Sequence, residues 1–296
     1  MKNYIKMIFF LFFLSAISAG LLTAFHLEFK ERIEKNKQQE QLVHILKSMA
    51  IVPDSIQEIL DNELQKLPTQ TEHDQFLLKA TEIKLIETEL KKYKDLSSFF
   101  ADSIQVLEIT KENTKQYTGG EFLAKFSQFD FKHNLYIFKA DIGKQIHYCF
   151  EIIGVGFWDK IAGYLTLKQG WERIAGITFY DHKETPGLGQ RIEEGWFQAQ
   201  FSFWDKTIFS NDEKQPSLHI SKRLGTYDGE CTEKFSKKEN EVDAITGASE
   251  TSRGLDKSLT ECLRNVFSKI SAHSSDQNVQ EFFDEESLER IKQAML

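Results

Sequence analysis

The chain has 296 residues, of which 41% are hydrophobic and 28% charged, and a net charge of −8 from 37 basic and 45 acidic side chains. That is enough apolar material for a sizeable core, and the acidic balance excludes wide contact with nucleic acid, whose phosphates need a basic face. Cys149, Cys231 and Cys262 form no CxxC pair and no zinc spacing, and allow at most one intrachain disulfide, so cysteine usage leaves the compartment open.

Residues 7–25 carry no charge, with Lys2 and Lys6 before them and His26, Glu28 and Lys30 after them. At about 1.5 Å per residue, roughly 19 residues reach about 28 Å, close to a bilayer's hydrocarbon thickness. A cleaved leader is the rival reading, through the small stretch Ala16-Ile17-Ser18-Ala19. The apolar run exceeds the ~7–15 residues of a leader core, which favours a retained anchor over residues 1–27. Basic residues on both flanks blunt the positive-inside rule, and charge does not decide the orientation.

Residues 28–102 read as a juxtamembrane helical region. Leu42, Ile45, Leu46 and Met49 recur at helical spacing, and a second helical stretch rich in Lys and Glu covers 72–99. Both charge runs read as solvated helix faces. From residue 103 the pattern changes to strands at 104–109, 135–140, 146–153, 163–167 and 173–180, rich in Ile, Phe, Tyr and Val. Short helices follow at 188–194 and 196–203, then a strand near 217–220 and a polar loop. A closing helix over 251–270 places Leu255, Leu259, Leu263, Val266 and Ile270 on one face. Strands and helices without a βαβ rhythm predict an α+β domain over 103–270 behind an N-terminal transmembrane helix. Residues 271–296 read as an acidic tail, partly helical and solvated.

Two motifs carry chemistry. Glu184-Thr185-Pro186-Gly187-Leu188-Gly189 is a tight loop after a strand, whose glycines let backbone approach a flat ligand and whose Thr185 offers a hydroxyl. Asp243-Ala244-Ile245-Thr246-Gly247-Ala248-Ser249-Glu250-Thr251-Ser252 sets small and hydroxyl residues before an amphipathic helix. There, free N–H groups and the helix dipole favour an anion; the alternative is helix capping by Ser249 or Thr251. Neither motif is a phosphate loop of the GxxxxGK[ST] kind or a GxGxxG dinucleotide fingerprint.

Together the two motifs resemble the FMN-binding domain of the flavin-carrying subunit of the sodium-translocating NADH:quinone reductase and of its counterpart in the related Rnf complex, from about residue 154 to 263. Gly154-Val155-Gly156-Phe157-Trp158 and Ala162-Gly163-Tyr164 look more like the quinone reductase than the Rnf complex. The resemblance implies FMN esterified to the last hydroxyl of an S/T-G-A-T motif, here Ser249 where the family carries Thr, with Thr246 and Thr251 as fallback acceptors. It implies attachment by a flavin transferase that draws on FAD and magnesium.

The resemblance also implies roles for the neighbours of Ser249. Gly247, Ala248 and the opening N–H groups of the last helix would surround the phosphate. Glu184, Thr185, Gly187, Leu188, Gly189 and Trp158, with Phe157 beside it, would lie along the ribityl chain and ring. No catalytic residue and no metal ligand is expected on the chain itself. The cofactor would do the redox chemistry in a multi-subunit membrane complex that couples NADH oxidation and quinone reduction to Na⁺ export. The soluble domain would stand in the periplasm, anchored in a bacterial inner membrane. The alternatives are the Rnf relay and a structural or sensor paralogue without redox duty.

Overall fold

The computed structural model describes residues 2–49, 96–142, 145–202, 206–209, 215–221 and 239–295. It divides into two units, Met1–Glu40 and Gln41–Leu296. The expected helix over 72–99 lies outside the described residues except for its last four, and so do residues 222–238 of the polar loop, Cys231 among them.

Helix α1 (Lys2–Ser48) opens the chain. Its stretch Lys6–Lys30 is long and apolar enough to cross a membrane, and Phe9, Phe10, Phe12 and Phe13 within it are exposed. From Gln41 onward α1 belongs to the second unit. The predicted apolar stripe explains why: Leu42, Ile45, Leu46 and Met49 are all at most 3% exposed and join a core cluster.

The second unit is built on six antiparallel strands: β1 (Ile104–Ile109), β2 (Thr114–Thr118), β3 (Leu135–Ile142), β4 (Gln145–Val155), β5 (Lys160–Lys168) and β6 (Ile174–Asp181), in the order β2-β1-β3-β4-β5-β6. Alternation feeds two cores. In β1, Ile104 and Val106 enter one cluster while Leu107 and Ile109 enter the other. The first face is covered by the end of α1, by α2 (Leu96–Ser103) and by α3 (Gly119–Ala124). Helix α3 is held by a capping box between Thr118 and Glu121. Ser48 pins α1 to the sheet, with its Oγ 2.7 Å from Thr166 Oγ1 and 3.2 Å from Cys149 Sγ.

The second face is covered by α4 (Gly195–Ser202), α5 (Ser249–Ala272), α6 (Gln277–Phe282) and α7 (Glu285–Gln293), around buried Trp171, Phe197 and Phe267. The short parallel pair β7 (His219–Ser221) and β8 (Glu241–Asp243) leads into α5. The α+β class stands.

The tail does not. Residues 271–296 were expected to be solvated, yet Val279, Phe282, Phe283, Leu288 and Ile291 are buried in the main core. Each short helix has its own cap, Asp276 for α6 and Asp284 for α7, and Asp284 also accepts the Tyr148 hydroxyl at 2.9 Å. The acidic composition hid a core-facing side on each helix.

Helix α5 is placed by an interruption in the sheet. Past the Ile137–Phe150 pair, β4 has no β3 neighbour, and α5 lies along the vacant edge. Ser258 Oγ accepts the Val155 N–H at 2.9 Å, and the Cys262 thiol reaches the Glu151 carbonyl at 3.8 Å. Gly254 permits the approach, because a Cβ there would strike the Val155 carbonyl. The first turn of α5 is thereby held beside the end of β4.

Candidate functional site

Two turns of the same construction meet beside the first turn of α5. In the first, the Leu188 N–H donates to the Thr185 carbonyl at 3.1 Å, with Pro186 second and Gly187 third at φ +74°. In the second, the Ala248 N–H donates to the Ile245 carbonyl at 3.1 Å, with Gly247 third at φ +85°. A third residue at positive φ is the requirement of a type II turn, and glycine meets it without strain. The turns touch: the Leu188 Cδ2 methyl lies 3.3 Å from where a Cβ on Gly247 would stand.

Behind them sits one buried carboxylate. Glu184 is 5% exposed. Its Oε1 accepts the Phe157 N–H at 2.8 Å and the Trp158 N–H at 3.2 Å, and its Oε2 accepts the Thr251 hydroxyl. It therefore joins three segments: the loop after β6, the turn between β4 and β5, and the start of α5. Gly156 and Gly189 flank it, since a Cβ on either would collide with a Glu184 carboxylate oxygen. His182 steadies the loop from the other side: its Nδ1 accepts the Glu184 N–H at 3.2 Å and its Nε2 lies 2.9 Å from Glu193.

The second turn is braced by Ser252, whose Oγ accepts the Ile245 N–H at 3.1 Å and donates to the Ala248 carbonyl at 2.9 Å. Gln200 braces the strand before it, with Oε1 accepting the Asp243 N–H at 2.8 Å. Ala248 occupies the N-cap of α5, so no side chain caps the helix. The expected alternative, capping by Ser249 or Thr251, is not realised. Among the described residues nothing accepts the N–H groups of Ser249, Glu250 and Thr251, and the helix dipole points at the same place. The Ser249 side chain is exposed at that point, while Thr251 and Ser252 are 3% and 4% exposed.

An apolar surface adjoins the turns. Trp158 is 65% exposed, Phe157 54% and Leu188 44%. The Trp158 indole is nevertheless oriented, because its Nε1–H donates to Thr185 Oγ1 at 2.9 Å. Lys183 pairs with Asp159 at the rim, which holds the Asp159 carboxyl below its usual range and the Lys183 ammonium above its own.

Residues 156–264, which carry both turns and the start of α5, match the FMN-binding domain. The NqrC subunit of the Na(+)-translocating NADH-quinone reductase of Pasteurella multocida is 32% identical over 125 residues, 42% of this chain and 43% of that one. The chain spans about half the length of the curated relatives it matches. Among solved structures, the same subunit from Parabacteroides distasonis aligns over 82% of this chain and 96% of that one, at 19% identity and a TM-score of 0.49. NqrC of Shewanella oneidensis aligns over 56% of this chain and 80% of that one, at 21% identity and a TM-score of 0.44.

Within the matched stretch the expected residues separate into two groups. Thr246, Gly247, Ser249, Thr185, Gly187, Leu188 and Trp158 lie at the surface around the two turns. Glu184, Gly189, Ala248 and Thr251 lie beneath them and are buried. This alters two expectations. Glu184 was expected to touch ring or ribityl chain, but both its oxygens are taken by the protein. Gly189 was expected to admit a ligand, but it admits the Glu184 carboxylate. Four supporting residues were not read from the sequence: Gln200, Ser252, Gly254 and Ser258. Only Ser252 and Gly254 left a signal, as a hydroxyl and a glycine in the opening turns of an amphipathic helix.

Proposed function

We propose that this chain is a membrane-anchored flavoprotein subunit of a Na⁺-translocating NADH:quinone reductase, carrying FMN as a phosphoester on Ser249. The observation that carries the reading is the exposed Ser249 hydroxyl on an uncapped helix start, at the junction of the two turns. The residues fit the group. The free N–H groups of Ser249, Glu250 and Thr251 would hold a phosphate, a role helix N-termini suit. Thr246, Gly247 and Thr185 would line its approach, and Leu188, Trp158 and Phe157 offer the apolar surface that a flat aromatic ring needs.

Among the candidate hydroxyls, Thr251 is a poor acceptor, because its Oγ1 is buried and donates to Glu184. FMN, when bound, supplies the electron-transfer chemistry, and the protein supplies attachment, orientation and access. The exposed position of the two turns suits exchange with neighbouring redox partners. The NqrC relatives, the Lys6–Lys30 stretch and the family motif support an anchored relay in a multi-subunit complex, with a flavin transferase for maturation and the domain on the periplasmic side of a bacterial inner membrane.

The test is the intact mass of the full chain co-expressed with a flavin transferase in a periplasm, followed by peptide mapping. The expected result is the mass of FMN less water on the Ser249 peptide, lost in Ser249→Ala. An unmodified chain beside an active transferase overturns the reading.

A further inference from the structure

We infer that Glu184 is a positioning residue for flavin attachment, and that its bond to Thr251 selects Ser249 as the acceptor. This rests on the flavoprotein reading above and deepens it. The surface of the site is made by three segments far apart in sequence, and no backbone hydrogen bond between them is seen among the described residues. The Glu184 carboxylate is what they share: N–H groups of Phe157 and Trp158 on one oxygen, the Thr251 hydroxyl on the other. Gly156 and Gly189 leave room for it, so these two glycines serve the carboxylate rather than the ligand.

Two consequences follow for the hydroxyls. Thr251 is two residues after Ser249 on the same helix turn, and its oxygen is turned inward and engaged. Ser252 is likewise engaged, with Ile245 and Ala248. Ser249 is left as the exposed hydroxyl of the turn, held at a fixed place relative to Leu188 and Trp158. The step served by this arrangement exchanges the Ser249 Oγ–H for an Oγ–P bond. The pyrophosphate P–O bond of a flavin dinucleotide breaks, AMP leaves with the bridging oxygen, and the hydroxyl proton passes to the transferase or solvent. No electrons change hands.

The experiment compares the full chain with Thr251→Val, Thr251→Ser and Glu184→Gln, each co-expressed with the transferase. Ser249 occupancy is read by peptide mapping, the bound flavin by its visible spectrum, and folding by thermal melt. Thr251→Val keeps the side-chain shape and removes the donor. It should lower Ser249 occupancy about fivefold and shift the flavin spectrum, in protein that still melts cooperatively. Thr251→Ser restores the donor and should restore both occupancy and spectrum, which a purely steric role would not require. Glu184→Gln should fall in the same direction as Thr251→Val. A wild type modified at Ser249 with Thr251→Val modified to the same extent and with the same spectrum overturns the inference and leaves the flavoprotein reading intact. A wild type that takes no flavin from an active transferase overturns both.

Discussion

The site has two halves that obey different rules. Beneath the turns, Glu184, Thr251, Ser252 and Gly189 are buried, and every side-chain oxygen among them has a protein partner. Above, Ser249, Thr246, Leu188 and Trp158 are exposed, and the first N–H groups of α5 have no partner among the described residues. The contrast separates what holds the site from what the site offers. Substitution below should cost stability and, through lost positioning, attachment; substitution above should cost attachment alone.

The largest effect expected is from Glu184→Ala. It would leave two part-exposed N–H groups and one buried hydroxyl without their acceptor, at about 1 kcal/mol for each N–H and roughly 1–3 kcal/mol for the hydroxyl, for a total of about 4 kcal/mol. For a domain of this size that is a fall of roughly 10 °C in Tm, measurable by calorimetry. A melt unchanged within a degree would mean that the buried half is not structural, and the comparison would collapse.

Acid tests whether the sheet beneath fails separately from the site. His147 on β4 is 4% exposed, and burial, then Lys168, lowers its pKa to about 4. Burial likewise lowers His44, which packs against Tyr180, to about 4. A folded pKa below the unfolded value of roughly 6.5 means the unfolded chain binds the extra proton first. The histidine contribution to stability should therefore hold above pH 6.5, fall as pH drops toward 4, and level off below, where the lowered carboxyls such as Asp284 take over the further loss. His147 alone contributes up to about 3 kcal/mol to that fall. Urea unfolding at a series of pH values checks it: His147→Gln should flatten the slope by about one proton, and an unchanged slope would reject the assignment.

How much of this was legible beforehand follows the same division. Helix α5 and the first turn were readable because their signals are local: five apolar residues at helical spacing, and a Pro-Gly pair; the second turn was read only as small and hydroxyl residues before a helix. Strand β2 was missed, since Thr114-Lys115-Gln116-Tyr117-Thr118 is polar and buries only Thr114 fully, as suits a sheet edge. The packed tail was missed because composition averages over the few residues that face the core. The role of Glu184 was unreadable in principle: a loop carboxylate looks the same whether it turns outward to a ligand or inward to three donors.

Ser252→Ala should have a smaller effect, about 1 kcal/mol, because one neutral hydrogen-bonded side chain is lost from a brace. Flavin occupancy at Ser249 should fall with it if the Ile245–Ala248 turn loosens, and amide exchange at Ile245 and Ala248 would report that loosening directly. Unaltered exchange at both amides would assign the holding of this turn to Gly247 instead.

The smallest effect on folding, and the sharpest on function, belongs to Trp158→Leu. The indole is 65% exposed and makes one hydrogen bond, to Thr185, so its loss should move stability by no more than about 0.5 kcal/mol. Its position beside Leu188 and the two turns matters only if an aromatic ring lies there, because offset stacking then adds about 0.5–1.5 kcal/mol beyond the area covered. In flavin-loaded protein the substitution should raise flavin emission, by removing a nearby electron-rich indole, and shift the visible band, while the melt stays within about 1 °C. A variant with wild-type emission and spectrum would place the ring away from Trp158, toward Leu188 and Thr246. The upper half of the site would then be used on one side only.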